Sequence, residues 1–153
     1  MRRGLTINFI GIYLLLWLIT LILIPIVTYF YSLRDSLIRS LIYIASSGGL
    51  GGIIYLIRSF YMHIFEKNFR EDAFWWYIFR PFSSVVIGVM SYFLIVGGLM
   101  SIGNVSSINY ERGIMFYSGI AFLAGFSFTQ FANKLEELAK TLFAKSKRDK
   151  DDA

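Results

Sequence analysis

The chain is predicted to be an all-α membrane protein: a bundle of four transmembrane helices with an amphipathic cytoplasmic helical extension at the C-terminus. Three observations lead there. Four uncharged apolar runs are each near the length needed to cross a hydrocarbon core of roughly 30 Å. A Gly-dense patch, Ser46-Ser47-Gly48-Gly49-Leu50-Gly51-Gly52, lies inside the second run. Lys and Arg collect on alternate connections.

The first run, Leu5 to Ile24, follows Met1-Arg2-Arg3-Gly4. It is too long for a signal peptide, whose apolar region of about 7 to 15 residues ends in a small-residue cleavage site. It reads as a retained span over about 5–27 that Pro25 helps to end. Its polar members, Asn8 and Thr20, suit contacts with a neighbouring helix or an interface. Tyr29 to Ser40, with Arg34, Asp35 and Arg39, reads as a short interfacial connection, and Tyr29-Phe30-Tyr31 fits a headgroup-level aromatic belt.

The second span covers about 41–62. Isolated in water, its glycines would weaken a helix by roughly 1 kcal/mol each relative to Ala, so their clustering requires a packing reason. Gly48 and Gly52 form a G-x-x-x-G pair, the spacing that lets membrane helices approach closely. Arg58 at its end snorkels to the interface. The segment His63 to Arg80 alternates charges and then crowds aromatics. It is expected to lie in the bilayer interface, with Trp75, Trp76 and Tyr77 as anchors. Glu66, Glu71 and Asp72 neutralise Lys67 and Arg70 on a wet surface rather than forming a site.

Pro81 suits the first turn of a third span, about 81–102. Ser84, Gly88, Ser91, Ile95 and Gly98 share one small face, a packing stripe or, in an oligomer, part of a pore lining. Gly103 to Gly113 is a polar loop; its Asn104-Val105-Ser106 matches a glycosylation acceptor, a pattern with many false positives. The fourth span, about 114–131, carries Ser118, Ala121 and Gly125 at small-residue spacing and ends in polar Ser127, Thr129 and Gln130. Residues 132–145 follow as a cytoplasmic amphipathic helix, with Phe131, Leu135, Leu138 and Leu142 on one side. Glu136 and Lys140 are an i, i+4 pair in the favourable order. Residues 146–153 form a charged disordered tail.

Composition narrows the function classes. Of 153 residues 56% are hydrophobic and only 16% charged, against about 25% charged in soluble domains. No polar region is long enough to bury a core of its own. The net charge of +5 comes from basic residues beside apolar runs and in the tail, so it orients the chain and no nucleic acid is expected. The side of the N-terminus, second loop and tail carries twelve Lys and Arg. The other side has Arg34, Arg39 and Arg112, completing the 15 in the chain. That bias places both termini in the cytoplasm of an inner (plasma) membrane protein. With no cysteine and one histidine, His63, thiolate and multi-histidine metal sites are excluded. No catalytic triad, phosphate loop or carboxylate pair within a span can be assembled. No enzyme, cofactor or metal site is expected. A proton-coupled transporter would need a carboxylate within a span, and none is present.

Two resemblances bear on these residues. Gly48-Gly49-Leu50-Gly51-Gly52 with Arg58, and Phe126-Ser127-Phe128-Thr129, are similar in composition to segments of four-span fluoride channels. The spacing to Arg58 and the position of the Gly-rich stretch depart from that family. More broadly, the Gly-rich stretch, Trp75-Trp76-Tyr77-Ile78-Phe79-Arg80-Pro81-Phe82 and Ala124-Gly125-Phe126-Ser127 resemble small prokaryotic four-span integral membrane proteins. That resemblance implies a multi-span helical fold and no particular activity.

The leading functional expectation is a homo-oligomeric pore or ion channel, because many small-residue faces in so short a chain leave surface for copies of itself. Ser84, Gly88, Ser91, Ser118, Ser127, Thr129 and Gln130 would line it, since hydroxyl and amide groups can replace part of an ion's hydration shell. Arg58 and Asn133 would stand at the cytoplasmic mouth, and Gly48, Gly52, Gly98 and Gly125 would pack helices. The alternative is a non-conducting scaffold or sensor subunit that recruits a cytoplasmic protein partner through loop 66–80 and helix 133–143, as in a signalling or defence system.

Overall fold

The computed structural model describes residues 2–31, 35–65, 74–100 and 110–151. They form five α-helices: α1 (Arg2–Phe30), α2 (Ser36–Phe65), α3 (Phe74–Val96), α4 (Tyr110–Phe126) and α5 (Phe128–Asp151). Helices α1, α2 and α3 are each long and apolar enough to cross a membrane. A fourth crossing exists if α4 and the start of α5 count as one broken span.

The Gly-rich stretch of α2 is the point where three helices cross. A Cβ built on Gly48 would lie 2.7 Å from the Cα of Gly88 in α3, and one on Gly88 would lie 2.8 Å from the Cα of Gly48. One helical turn on, a Cβ on Gly52 would collide with the Ser84 side chain. The other side of α2 meets α4: a Cβ on Gly51 would overlap the Phe122 carbonyl oxygen, and one on Gly125 would overlap the Gly48 carbonyl oxygen. These glycines are therefore a backbone-to-backbone seam with no room for a methyl group. Helix α1 packs on the outside. Its Ile10, Leu14 and Leu21 join Ile53, Leu56 and Tyr77 in the buried core, while Phe9, Ile12, Leu15, Leu16, Ile19 and Leu23 remain exposed. Such an apolar exterior on a helix of this length is what lipid contact requires.

Several boundaries differ from expectation. Neither proline ends or opens a helix: Pro25 lies inside α1 and Pro81 inside α3. Proline is tolerated within membrane helices where hydroxyls attend to nearby backbone carbonyls. Each proline frees the carbonyl four residues before it, Leu21 for Pro25 and Tyr77 for Pro81, and Thr28 Oγ1 donates elsewhere, to the Ile24 carbonyl at 2.8 Å. Tyr13 Oη reaches from α1 to the Ile78 carbonyl at 3.0 Å, three residues before Pro81. Helix α3 thus begins at Phe74 and takes in the aromatic run expected to lie in an interfacial loop. At its other end it stops at Val96. Gly98, expected to pack against a helix, instead closes α3. Its φ is +74° with open space around it, and Gly98 N–H donates to the Ile95 carbonyl while Leu99 N–H donates to that of Leu94. This is a Schellman cap, which needs a residue that accepts positive φ.

The fourth apolar run is not a straight helix running out into a rod. It breaks at Ser127, where α5 turns from α4 by 101°. Ser127 N–H still donates to the Leu123 carbonyl in the last turn of α4, while its own carbonyl accepts from Phe131 N–H in the first turn of α5. Ser127 is therefore the N-cap of α5, a position serine favours. Helix α5 continues to Asp151, so the stretch from 146 expected to be disordered is helical that far. Along it, Lys140 Nζ lies 2.6 Å from Glu136 Oε1 and Lys134 Nζ 2.6 Å from Glu137 Oε2.

Candidate functional site

At the break between α4 and α5 a cavity of about 220 Å³ is lined by Tyr55, Arg80, Phe126, Ser127, Phe128, Thr129 and Gln130. Each lining residue follows from the crossing described above. The glycine seam brings α2 close to α3 and α4, so Tyr55, one turn past Gly51, stands beside Phe126 with ring centroids 5.9 Å apart. On α3, Arg80 lies one turn before Ser84, which packs on Gly52. The N-terminal turn of α5 covers the end.

Arg80 dominates the electrostatics. It is only 7% exposed, and its Cζ lies over three rings: 4.1 Å from the centroid of Phe128, 5.3 Å from Tyr55 and 5.5 Å from Trp76. Among the described residues, the salt bridges join lysines and glutamates of α5, and no carboxylate pairs with Arg80. Its Nε is buried without a hydrogen-bond partner. Withdrawing a guanidinium from water costs several kcal/mol even after relaxation. Ring faces offset part of that, about 0.5–2 kcal/mol each with the nearer ring contributing most. They do not replace the hydrogen bond Nε–H has lost, and an unmet charged donor costs about 1–3 kcal/mol more.

The rest of the lining is rich in donors. Ser127 and Thr129 bring hydroxyls and Gln130 an amide, and Thr129 and Gln130 are exposed, so the cavity opens to the outside there. Phe128, Thr129 and Gln130 form the first turn of α5, where backbone N–H groups lack intrahelical acceptors and the helix dipole is positive.

The sequence-predicted residues separate into distinct places. Ser127, Thr129 and Gln130 meet at this cavity. Ser84, Gly88 and Ser91 are buried in the seam facing α2, with the two hydroxyls donating back to the Arg80 and Gly88 carbonyls at 3.0 and 2.7 Å. Ser118 lies apart, with a buried Oγ that has no partner. It borders a second cavity of about 550 Å³ between α1, α2 and α4 that also includes Pro25, Arg39, Tyr43 and Leu50. Arg58 and Asn133 are exposed, and Gly48, Gly52 and Gly125 lie in the seam. Of the expected interface anchors, Trp75 is 64% exposed, while Tyr77 is 1% exposed and sits in the core against Phe60. Tyr77 faces inward because α3 starts at Phe74, which puts it on the same side as Ser84, two turns later. Of loop 66–80, residues 66–73 lie outside the described residues, as does Asn104.

Sequence reasoning missed Arg80, Tyr55 and Phe128. A cation two turns inside an aromatic-rich helix start would have stood out had α3 been begun at Phe74 instead of Pro81. Compared with protein-family models, curated proteins and solved structures, the chain matches none of them. Its function rests on the site alone.

Proposed function

We propose that the protein is a four-span inner-membrane protein with both termini in the cytoplasm, and that it assembles with copies of itself into an ion-conducting pore. In this reading α4 and the first turn of α5 make up the fourth span, and α5 lies along the cytoplasmic surface. The observation that carries it is the gathering of Ser127, Thr129 and Gln130 around one cavity at the break in that span. Broken helices place free backbone groups and hydroxyls at membrane depth only where they line a cavity or are buried in protein, and such groups stand in for the water an ion sheds. The single-sided charge bias of the connections supports the orientation. Exposed apolar surface on α3, through Val86, Met90 and Phe93, and the exposed Gly119 on α4 support self-association.

The test is ion flux from liposomes holding the purified protein beside a Ser127→Trp variant. Flux in the parent and its loss in the variant are expected; no flux from folded, reconstituted protein under varied voltage rejects the pore. The scaffold reading draws on the 101° turn, which would hold the charged face of α5 along the membrane surface for a cytoplasmic partner. In that case charge reversal at Lys134 and Lys140 removes partner recruitment and flux is absent.

A further inference from the structure

We propose that the cavity at the α4–α5 break is a binding site for a small oxyanion with two acceptor oxygens, of the carboxylate or nitrate type, and that Arg80 is its principal ligand. The inference deepens the pore reading by naming the charge and shape of the ion, and it rests on that reading only for what happens to the ion after binding.

Three independent features converge on an anion. The first is the unpartnered cation. Arg80 is more than nine-tenths buried, no carboxylate among the described residues pairs with it, and its Nε is sealed from water with no acceptor. The second is the end of α5, whose first turn lines the same cavity. Helix N-termini present free N–H groups and a positive dipole end, which favour an anion. The third is the lining of hydroxyls and an amide from Ser127, Thr129 and Gln130, all able to donate. A cation would meet Arg80 and the dipole as two repulsive neighbours.

The geometry also speaks to shape. Cζ of Arg80 is held over the faces of Phe128, Tyr55 and Trp76. Ring faces stabilise the charge and fix the side chain but offer no lone pair in the guanidinium plane. Nε is sealed from any atom the size of a water, so what remains for an ion in the cavity that Arg80 lines is the Nη1–Nη2 end, a fork whose two parallel N–H groups match two oxygens of one planar group. A spherical halide can serve only one position of that fork well. At about 220 Å³ the cavity suits an ion of a few heavy atoms and falls below the range of about 300–1,000 Å³ usual for drug-sized ligands.

The experiment measures binding separately from conduction. Purified protein in detergent is heated in sodium nitrate or sodium formate, each replacing sodium chloride at constant ionic strength. A ligand that binds only the folded state raises the unfolding midpoint with concentration. The expected result is a midpoint that rises in nitrate and formate relative to chloride, with apparent affinity weakened about tenfold or more in Arg80→Lys, which keeps the charge but loses the fork. Thr129→Val, at an exposed position neutral to folding, is expected to weaken it severalfold. A combined Glu66→Gln, Glu71→Gln, Asp72→Asn variant is expected to leave it unchanged. Equal midpoints in nitrate, formate and chloride for the parent overturn the proposal. So does an affinity gain of tenfold in the combined variant, because a carboxylate of that loop would then be the occupant. Nitrate binding without flux keeps the site and removes the pore. Flux from liposomes together with equal midpoints in nitrate, formate and chloride keeps the pore and removes the site.

Discussion

The guanidinium carbon of Arg80 lies 4.1 Å from the centroid of the Phe128 ring, so a cation of α3 holds the first residue of α5 in place across the break in the chain. The turn at Ser127 is thereby tied to the bundle and is not a free joint. Phe128→Leu keeps an apolar side chain and removes the ring face. Its expected effect is a loss of about 1 kcal/mol, read as a lower thermal midpoint and as faster amide exchange confined to the start of α5. Slower or unchanged exchange there would show that α5 is held by something else.

The glycine seam yields a sharper contrast. Gly125→Ala puts a methyl group into the Gly48 carbonyl oxygen, and neither backbone can move aside without opening the three-helix crossing. A destabilisation of about 1–3 kcal/mol is expected, the range for overpacking a tight interior. Gly119 lies in the same helix with nothing near its would-be Cβ, so Gly119→Ala should be neutral or stabilise by up to about 1 kcal/mol through helix propensity. Denaturant titrations of the two variants side by side check the pair.

Burial separates two groups of serines and amides that the sequence alone treats alike. Ser91 is 1% exposed in the seam, whereas Gln130 is exposed at the cavity mouth. The chain has no cysteine of its own, so Ser91→Cys and Gln130→Cys each present one thiol. A membrane-impermeant maleimide is expected to label the Gln130→Cys protein at least tenfold faster, since the thiolate must be reached by water to react. Comparable labelling rates would mean that water enters the α2–α3 seam.

Acidity acts on α5 through Lys134, which by hydrogen bond and charge holds the Glu137 carboxyl below its ordinary value. A carboxyl whose folded value is depressed adds stability above its unfolded value and loses it as pH falls through the lowered one. Both side chains are in water, so the effect is small. The protection factors of α5 amides, which correct for the pH dependence of free-peptide exchange, should fall slightly below the ordinary carboxylate range, and Glu137→Gln should remove that fall.

How much of this was legible in the residues differs by element. The apolar runs and the amphipathic pattern after Phe131 are local features and all fall in helices, but their ends moved and the fourth run broke at Ser127 into α4 and α5. Pro25 and Pro81 misled because proline stops helices in water, where the chain has alternatives to helical pairing. In an apolar setting, continuing the helix strands fewer polar groups than ending it, because an interior proline frees only the carbonyl four residues back, that of Leu21 or of Tyr77. Ser127 was visible as a polar residue but not as a break, since Phe126 and Phe128 on either side look like continuing helix.

The sequence by itself determined the class: runs of apolar residues of these lengths, with almost no charge inside them, form helices suited to lipid because every backbone group must find its partner within the segment. Only the tertiary structure decided the site. Arg80, Tyr55 and Phe128 are far apart in the chain and belong to three helices. They meet because Gly48, Gly51 and Gly52 let α3 and α4 close on α2 to backbone contact, a distance that depends on both surfaces at once.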